Sequence, residues 1–497
     1  MANNTNAMSW TEEQKKVISV RDCNVLVSAA AGSGKTAVLV ERIIQMISDK
    51  ERPVDIDKLL VVTFTNAAAA EMRERINAAI EKKIEEDPDN LHLQKQGSLI
   101  RTAQITTLHS FCQNVIRNHF NEIDVDPGFR IGDEAELKLL KSDVLEELFE
   151  FYYTPYEKLE EEKEEKQQMD GEKAQIDQAN TIEHDEKRAV FLELIEGYSN
   201  GKNDTGIMEL LLQLYDFAMS YPWPEQWLEE KKQAFRLESI EEMEETDWMK
   251  FLLDYIREIL DTLIEKNRKA ISSCGEVDGP YMYQDALISD QELLEQMKHV
   301  SSYVELGEVL RGKKWARLSA KKDENVDSEK RERIKEIRAV IKKAVDDIEK
   351  QFFFQSVEQM LADMQFLARP MSTLIDLTIE FKQRYELAKE ERKIVDFNDL
   401  EHMALRILVR NQNGKVEQTQ VAKEYSQEFA EILVDEYQDS NAVQETILNS
   451  ITKEAEGKPN LFMVGDVKQS IYKFRLARPE LFMEKYETYS LEESSYR

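Results

Sequence analysis

Cysteine is scarce in this chain, and basic residues are outnumbered by acidic ones. Its 497 residues include three cysteines, Cys23, Cys112 and Cys274, at spacings that suit neither a disulfide framework nor a metal centre. That excludes a disulfide-stapled secreted fold and fits a reducing cytosol. Long apolar runs are missing too. Stretches such as "LLVVTF" (59–64) fall far short of the roughly 20 residues that span a bilayer. The first residues, "MANNTNAMSW", lack the basic-then-apolar pattern of a secretory leader. A cytoplasmic protein without a membrane partner is therefore expected. Lys and Arg number 66 against 98 Asp and Glu, a formal net charge of −32. Taken as an average, this argues weakly against nucleic acid, whose phosphates are neutralised by Lys and Arg. A local basic groove can still survive inside an acidic protein.

What is present is the composition of a soluble globular protein, 41% hydrophobic and 33% charged. A chain this long exceeds one core, and about two to four domains are expected. Four short runs rich in β-branched residues stand out: "NVLVSA" (24–29), "LLVVTFT" (59–65), "EILVDE" (431–436) and "LFMVGD" (461–466). "AQITTL" (103–108) is a weaker fifth. Runs without alternation suggest strands covered on both faces, as in a parallel sheet. After the first run, Val40, Ile43, Ile44 and Ile47 repeat at helical spacing. The expected fold class is α/β, with a doubly wound parallel sheet. Between about 120 and 430 the strand signals vanish and helical patterns take over. The expected organisation is an α/β core of residues 1–120 plus 392–497, interrupted by a helical insertion of residues 121–391. Within it, "EKLEEEKEEKQQMDGEK" (157–173) is nearly devoid of apolar residues and reads as a mobile acidic excursion reaching towards residue 188, or as a solvated helix. The block 321–350 reads as a long exposed helix.

"AAAGSGKT" (29–36) follows the first strand and opens a helix. It fits the phosphate-binding loop, with Ala29 where the first glycine usually stands. Backbone N–H groups from Ala29, Ala30, Ala31, Gly32, Ser33 and Gly34 would cradle phosphate oxygens at a helix N-terminus. Lys35 would reach the β- and γ-phosphates, and Thr36 would give its hydroxyl to Mg²⁺. "ILVDEYQD" (432–439) supplies the acids that such a site needs. Asp435 would hold Mg²⁺ through water, and Glu436 would orient and deprotonate the attacking water. Together these features imply ATP hydrolysis with Mg²⁺. They leave open what the hydrolysis drives.

"DEYQD" followed by "VGDVKQSIYKFRLARPELF" resembles motifs II and III of the superfamily 1A DNA helicases, the UvrD, Rep and RecB group. "TFTNAAAAEMRERI" (63–76) looks like motif Ia, "TTLHSFC" (106–112) like the next DNA-facing motif, and "WTEEQKKVI" (10–18) like the Q-motif. The resemblance implies a RecA-like domain 1A with a helical insertion 1B. Lys35 and Asp435 are about 400 residues apart. That distance, with "VDFNDLEHMAL" (395–405), narrows the likeness to the AddA component of AddAB helicase–nucleases. Carried over residue by residue, Gln14 reads the adenine edge and Gln469 touches the γ-phosphate as a third catalytic group beside Lys35 and Glu436. Phe474 stacks on a base, and Arg475 contacts DNA or couples it to nucleotide. Phe64, Thr65, Asn66 and His109 line the single-strand path.

Other roles stay open for some of these residues. Phe64 could be core and His109 a structural histidine. Lys468 could contact phosphate or be plain surface, Tyr472 reads as packing, and Asp396 and Asp399 read as helix N-caps. The family likeness implies 3′ to 5′ translocation on single-stranded DNA, unwinding from duplex ends, exonuclease activity in double-strand-break repair by recombination, and an AddB-like partner in a bacterial cytoplasm. The competing reading is a P-loop nucleotide-binding protein whose insertion serves as a docking scaffold. The motifs of a second RecA-like domain and of a nuclease do not occur in the 497 residues. That reads as a fragment or a truncated gene product, expected to hydrolyse ATP poorly alone.

Overall fold

The computed structural model describes residues 10–30, 32–158, 178–199, 203–412, 414–470, 476–491 and 494. The expected acidic excursion falls largely outside these, as do Ala31, Tyr472, Phe474 and Arg475.

The five expected strands form one parallel sheet. They are β1 (Val25–Ser28), β2 (Leu59–Thr63), β3 (Gln104–Thr107), β4 (Glu431–Val434) and β5 (Leu461–Gly465), in the order β1-β5-β4-β2-β3. Register sets Val25 beside Phe462, Leu433 beside Phe462, Val61 beside Leu433 and Val61 beside Ile105. Every residue of β2, β4 and β5 is buried. Because side chains alternate along a strand, each strand feeds two cores. Leu60, Val62, Ile432, Val434, Leu461 and Met463 enter one, with Phe111, Leu400 and Val443. Val61, Leu433, Phe462 and Val464 enter the other, with Leu39, Ile43, Met72 and Ile76. Continuous apolar runs in the sequence are the consequence, since neither face meets water.

By compactness the chain divides into one unit of residues 1–228 and 376–497, and a second of residues 229–375. In the first, a two-residue parallel bridge pairs Arg130–Ile131 with Ile394–Val395. It joins the points where the chain departs for the long excursion and returns. Just beyond, Asp396 caps the helix Phe397–Leu408 and Asp399 answers from its third position, a reciprocal capping box. Lys389 Nζ bonds Asp396 Oδ2 at 3.1 Å and both oxygens of Asp399 at 2.5 and 2.6 Å. Asp396 is thus the expected N-cap, whereas Asp399 is not a second cap but the third helical residue that closes the box.

The second unit is helical. Helices Asp247–Cys274, Gln284–His299 and Ser328–Phe352 enclose Ile256, Leu260, Leu294, Met297, Ile341 and Val345. The expected exposed helix of 321–350 starts only at Ser328, after an Asp327 N-cap, and it is not exposed all round. Ile334, Arg338, Ile341, Val345 and Ile348 recur at helical spacing and are buried, a stripe that dense surrounding charge obscures in the sequence. The buried Arg338 guanidinium is held by the Asp290 carboxylate.

Candidate nucleotide site and strand path

Parallel strands bring their C-terminal ends to one edge, which is where an open α/β sheet binds ligands. The described residues of the sequence motifs lie at or beside that edge. After β1, Ala29 N–H donates to Gly465 O at 3.1 Å, tying the loop to the end of β5. Ser33 N–H donates to Ala30 O, closing a tight turn. Gly32 and Gly34 have φ of 76° and 84°, the left-handed region that glycine enters without strain. Gly34 is the cap of helix α1 (Lys35–Ser48), so Lys35 and Thr36 occupy its first two positions. The free N–H groups and positive dipole end of that helix face the loop.

Gln14 lies on the short helix Glu12–Ser19, where it completes a capping box with Thr11. Its Oε1 accepts from Thr11 N–H at 2.9 Å, and its Nε2 donates to Ser33 O at 3.2 Å. The Q-motif is thereby attached to the phosphate loop. Arg42, fully buried on α1, donates from Nη1 to Val17 O at 2.7 Å and from Nε to Glu431 Oε1 at 3.0 Å. Its guanidinium also lies 4.3 Å from the centre of the Phe462 ring.

At the end of β4, Asp435 N–H donates to Val62 O. Burial, then the neighbouring Glu436 charge, pushes the Asp435 carboxyl up to about 6. Glu436 has φ of 53°, an uncommon conformation for a side-chain-bearing residue. Its Oε2 lies 3.3 Å from Lys35 Nζ and accepts from Gln438 Nε2 at 2.8 Å. Gln438, nearly fully buried, uses its Oε1 to accept Asp466 N–H at 2.9 Å. Gln469 Nε2 donates to Asp466 Oδ2 at 2.5 Å. Lys35, Glu436, Gln438, Asp466 and Gln469 therefore form one continuous chain of polar contacts across three strand ends.

The expected strand-path residues stand at the ends of β2 and β3. Phe64 is half-buried, while Thr65 and Asn66 are exposed. Thr65 is the N-cap of helix α2 (Asn66–Glu86) and accepts from Ala68 N–H at 3.1 Å. His109 is the second residue of helix α3 (Leu108–His119). Its side chain is 36% exposed, and its Nε2 lies 3.0 Å from the buried Glu401 Oε1. Its ring centre is 4.8 Å from that of Phe397, itself 56% exposed. Lys468 is exposed in the turn Val467–Gln469.

Sequence reasoning passed over Gln438 and Glu401. Gln438 was visible only as a letter within "DEYQD". "VDFNDLEHMAL" was legible as a helix start, but the partners of Glu401 lie far away in sequence. Among the described residues, no helix is long and apolar enough to cross a membrane.

The family model for the UvrD/REP helicase N-terminal domain matches residues 10–490. The chain is 52% identical over 494 residues to the A subunit of the ATP-dependent helicase/nuclease of Lachnoclostridium phytofermentans, covering 98% of this chain and 34% of the relative. The protein of the same name from Clostridium beijerinckii is 44% identical over 487 residues, covering 97% of this chain and 36% of the relative. That from Ruminiclostridium cellulolyticum is 42% identical over 501 residues, covering 98% and 37% respectively. The chain thus spans about a third of the length of these relatives.

Proposed function

The chain belongs to the UvrD/REP helicase family, and on that premise we propose that it is the ATP-binding part of a DNA-translocating helicase–nuclease. The observation that carries this reading is the polar chain from Lys35 through Glu436, Gln438 and Asp466 to Gln469. It links the phosphate loop, the water-activating acid and the nucleotide sensor, so a change at one strand end is felt at the others.

The residues fit ATP with Mg²⁺. The two positive-φ glycines open the loop, and an ideal Cβ built on Gly32 meets nothing within 4 Å. Thr36 and Asp435 offer the hard oxygen ligands that Mg²⁺ takes, and the raised carboxyl of Asp435 marks a buried anion that a divalent cation would relieve. Bound there, the ion would neutralise charge on the β- and γ-phosphates. Lys35 holds phosphate oxygens. Glu436, kept in place by Gln438, orients the attacking water and takes its proton. Gln469 contacts the γ-phosphate and relays its loss through Asp466.

Residues 1–120 and 392–497 act as the RecA-like domain 1A, and 121–391 as the inserted domain 1B. Phe64, Thr65, Asn66 and His109, with Phe474 and Arg475, line the single strand. Aromatic stacking there is sequence-tolerant, as a translocase requires. The whole protein then moves 3′ to 5′, unwinds duplex ends and degrades DNA for recombinational repair in the bacterial cytoplasm, with an AddB-like partner.

The test is the ATPase activity of the full-length protein against added single-stranded DNA. The expected result is stimulation that disappears in Lys35→Ala and in Phe474→Ala. A folded full-length protein that binds ATP but ignores DNA would defeat the reading and favour a nucleotide-binding scaffold.

A further inference from the structure

Glu401 is a buried carboxylate, its side chain 3% exposed, in the middle of the helix Phe397–Leu408. A charge in that position is costly unless it is bonded, and an apolar residue would pack there at no such cost. Its partners come from two other elements. His109 Nε2 lies 3.0 Å from Oε1, and Gln444 Nε2 donates to the same oxygen at 2.7 Å. Asn441 Nδ2 donates to Oε2 at 3.4 Å. Burial works against the Glu401 charge, but the bonds from His109, Gln444 and Asn441 outweigh it and hold the carboxyl below its ordinary range.

These partners define what the residue joins. His109 stands on the proposed strand path, its side chain 36% exposed and its ring centre 4.8 Å from that of Phe397. Asn441 is the N-cap of helix α4 (Ala442–Ser450), and Gln444 is its third residue. That helix begins straight after the turn Tyr437–Asp439, which holds Gln438 and follows Glu436. A carboxylate on one imidazole nitrogen fixes the ring's orientation and what the other nitrogen presents. A shift of His109 therefore has a direct bonded route, through one side chain, to the start of the helix behind the water-activating acid.

We propose that Glu401 is a positioning residue: it aims His109 at the strand and transmits occupancy of the strand path to the turn that carries Glu436 and Gln438. This rests on the helicase reading. It predicts a coupling between DNA and nucleotide that runs through Glu401, and such couplings are typically about 5- to 150-fold in affinity.

The experiment measures the Kd of fluorescein-labelled oligothymidylate by anisotropy, with and without Mg²⁺ and a non-hydrolysable ATP analogue. The proteins are the chain itself, Glu401→Gln, Glu401→Asp, His109→Ala and the Glu401→Gln/His109→Ala double variant. Circular dichroism melts establish which variants fold. The expected result is that nucleotide shifts the wild-type Kd and that Glu401→Gln reduces this shift to less than twofold. Glu401→Asp should restore part of it, and the double variant should lose no more than His109→Ala. Glu401→Gln keeping the wild-type shift would overturn the proposal. So would a double variant whose losses multiply, because Glu401 would then act independently of His109. Absence of oligothymidylate binding by the wild-type chain would instead overturn the helicase reading, and this inference with it. If Glu401→Gln fails to fold, Gln444→Ala replaces it in the same comparison, with the same expected loss and the same overturning result.

Discussion

Replacing Gly465 by alanine tests whether the strand ends are joined as described. Gly465 ends β5, and an ideal Cβ there would collide with Gln438 Oε1 and sit 2.9 Å from Phe482 Cε2. The first contact is with the amide that bonds both Glu436 and Asp466. Gln438 is buried and has nowhere to swing without breaking those bonds. Inserting a methyl into a filled site costs about 1–3 kcal/mol. Losing two hydrogen bonds adds about 1 kcal/mol each. The local cost is therefore about 3–5 kcal/mol, or roughly two to three and a half powers of ten in an opening equilibrium. Amide hydrogen exchange resolved by mass spectrometry reads this locally, in peptides covering 461–469. Exchange there should accelerate by that factor, while peptides of the helical unit 229–375 stay unchanged. Gln438→Ala removes the clashing amide, so Gly465→Ala added to it should cost much less than in the wild type. Exchange within threefold of wild type in Gly465→Ala would refute the reasoning, as would the same added cost in both backgrounds.

Arg42→Met should destabilise the sheet unit by about 3–5 kcal/mol, because it strands the buried Glu431 carboxylate and frees the helix Glu12–Ser19; urea unfolding curves measure it, and a loss under 1 kcal/mol would contradict the role given to Arg42. Gly34→Ala puts a side chain at φ of 84° and should cost about 1–2 kcal/mol of strain, read as weakened binding of a fluorescent ATP analogue. Lys389 is shared by two buried acids, and burial together with the Asp396 charge pushes the Asp399 carboxyl up to about 6. A raised carboxyl keeps its proton in the folded state where the unfolded chain has lost it, so its contribution is complete below about pH 4 and fades as pH rises to about 6. Stability of wild type relative to Asp399→Asn should therefore fall between pH 4.5 and 6.5 and level off above, and a rise across that window would reverse the argument.

Strands, phosphate loop and acid pair were legible in the sequence because each is a local pattern. β4 and β5 announced themselves as apolar runs, since a strand buried on both faces has no polar side to interrupt it. Gly32, Gly34 and Lys35 were readable because a phosphate cradle needs those residue types in consecutive order. The helix 328–352 was harder. Its buried stripe is narrow and sits among many charges, so composition suggested exposure where the fold buries one face.

Taken alone, the amino-acid sequence determined the α/β class and the family, and it singled out the residues proposed to meet nucleotide, through short-range order that physics restricts tightly. Only the tertiary structure decided which distant residues share a bond. Lys35 meets Glu436 across 401 positions, Asn24 meets the backbone of Leu461 across 437, and Glu401 gathers His109, Asn441 and Gln444. No pattern along the chain encodes these pairings, because strand order β1-β5-β4-β2-β3 is set by how the sheet closes and not by sequence proximity. Gln438 shows the difference most clearly. In the sequence it is one letter of a motif; in the fold it is the buried amide on which two strand ends depend.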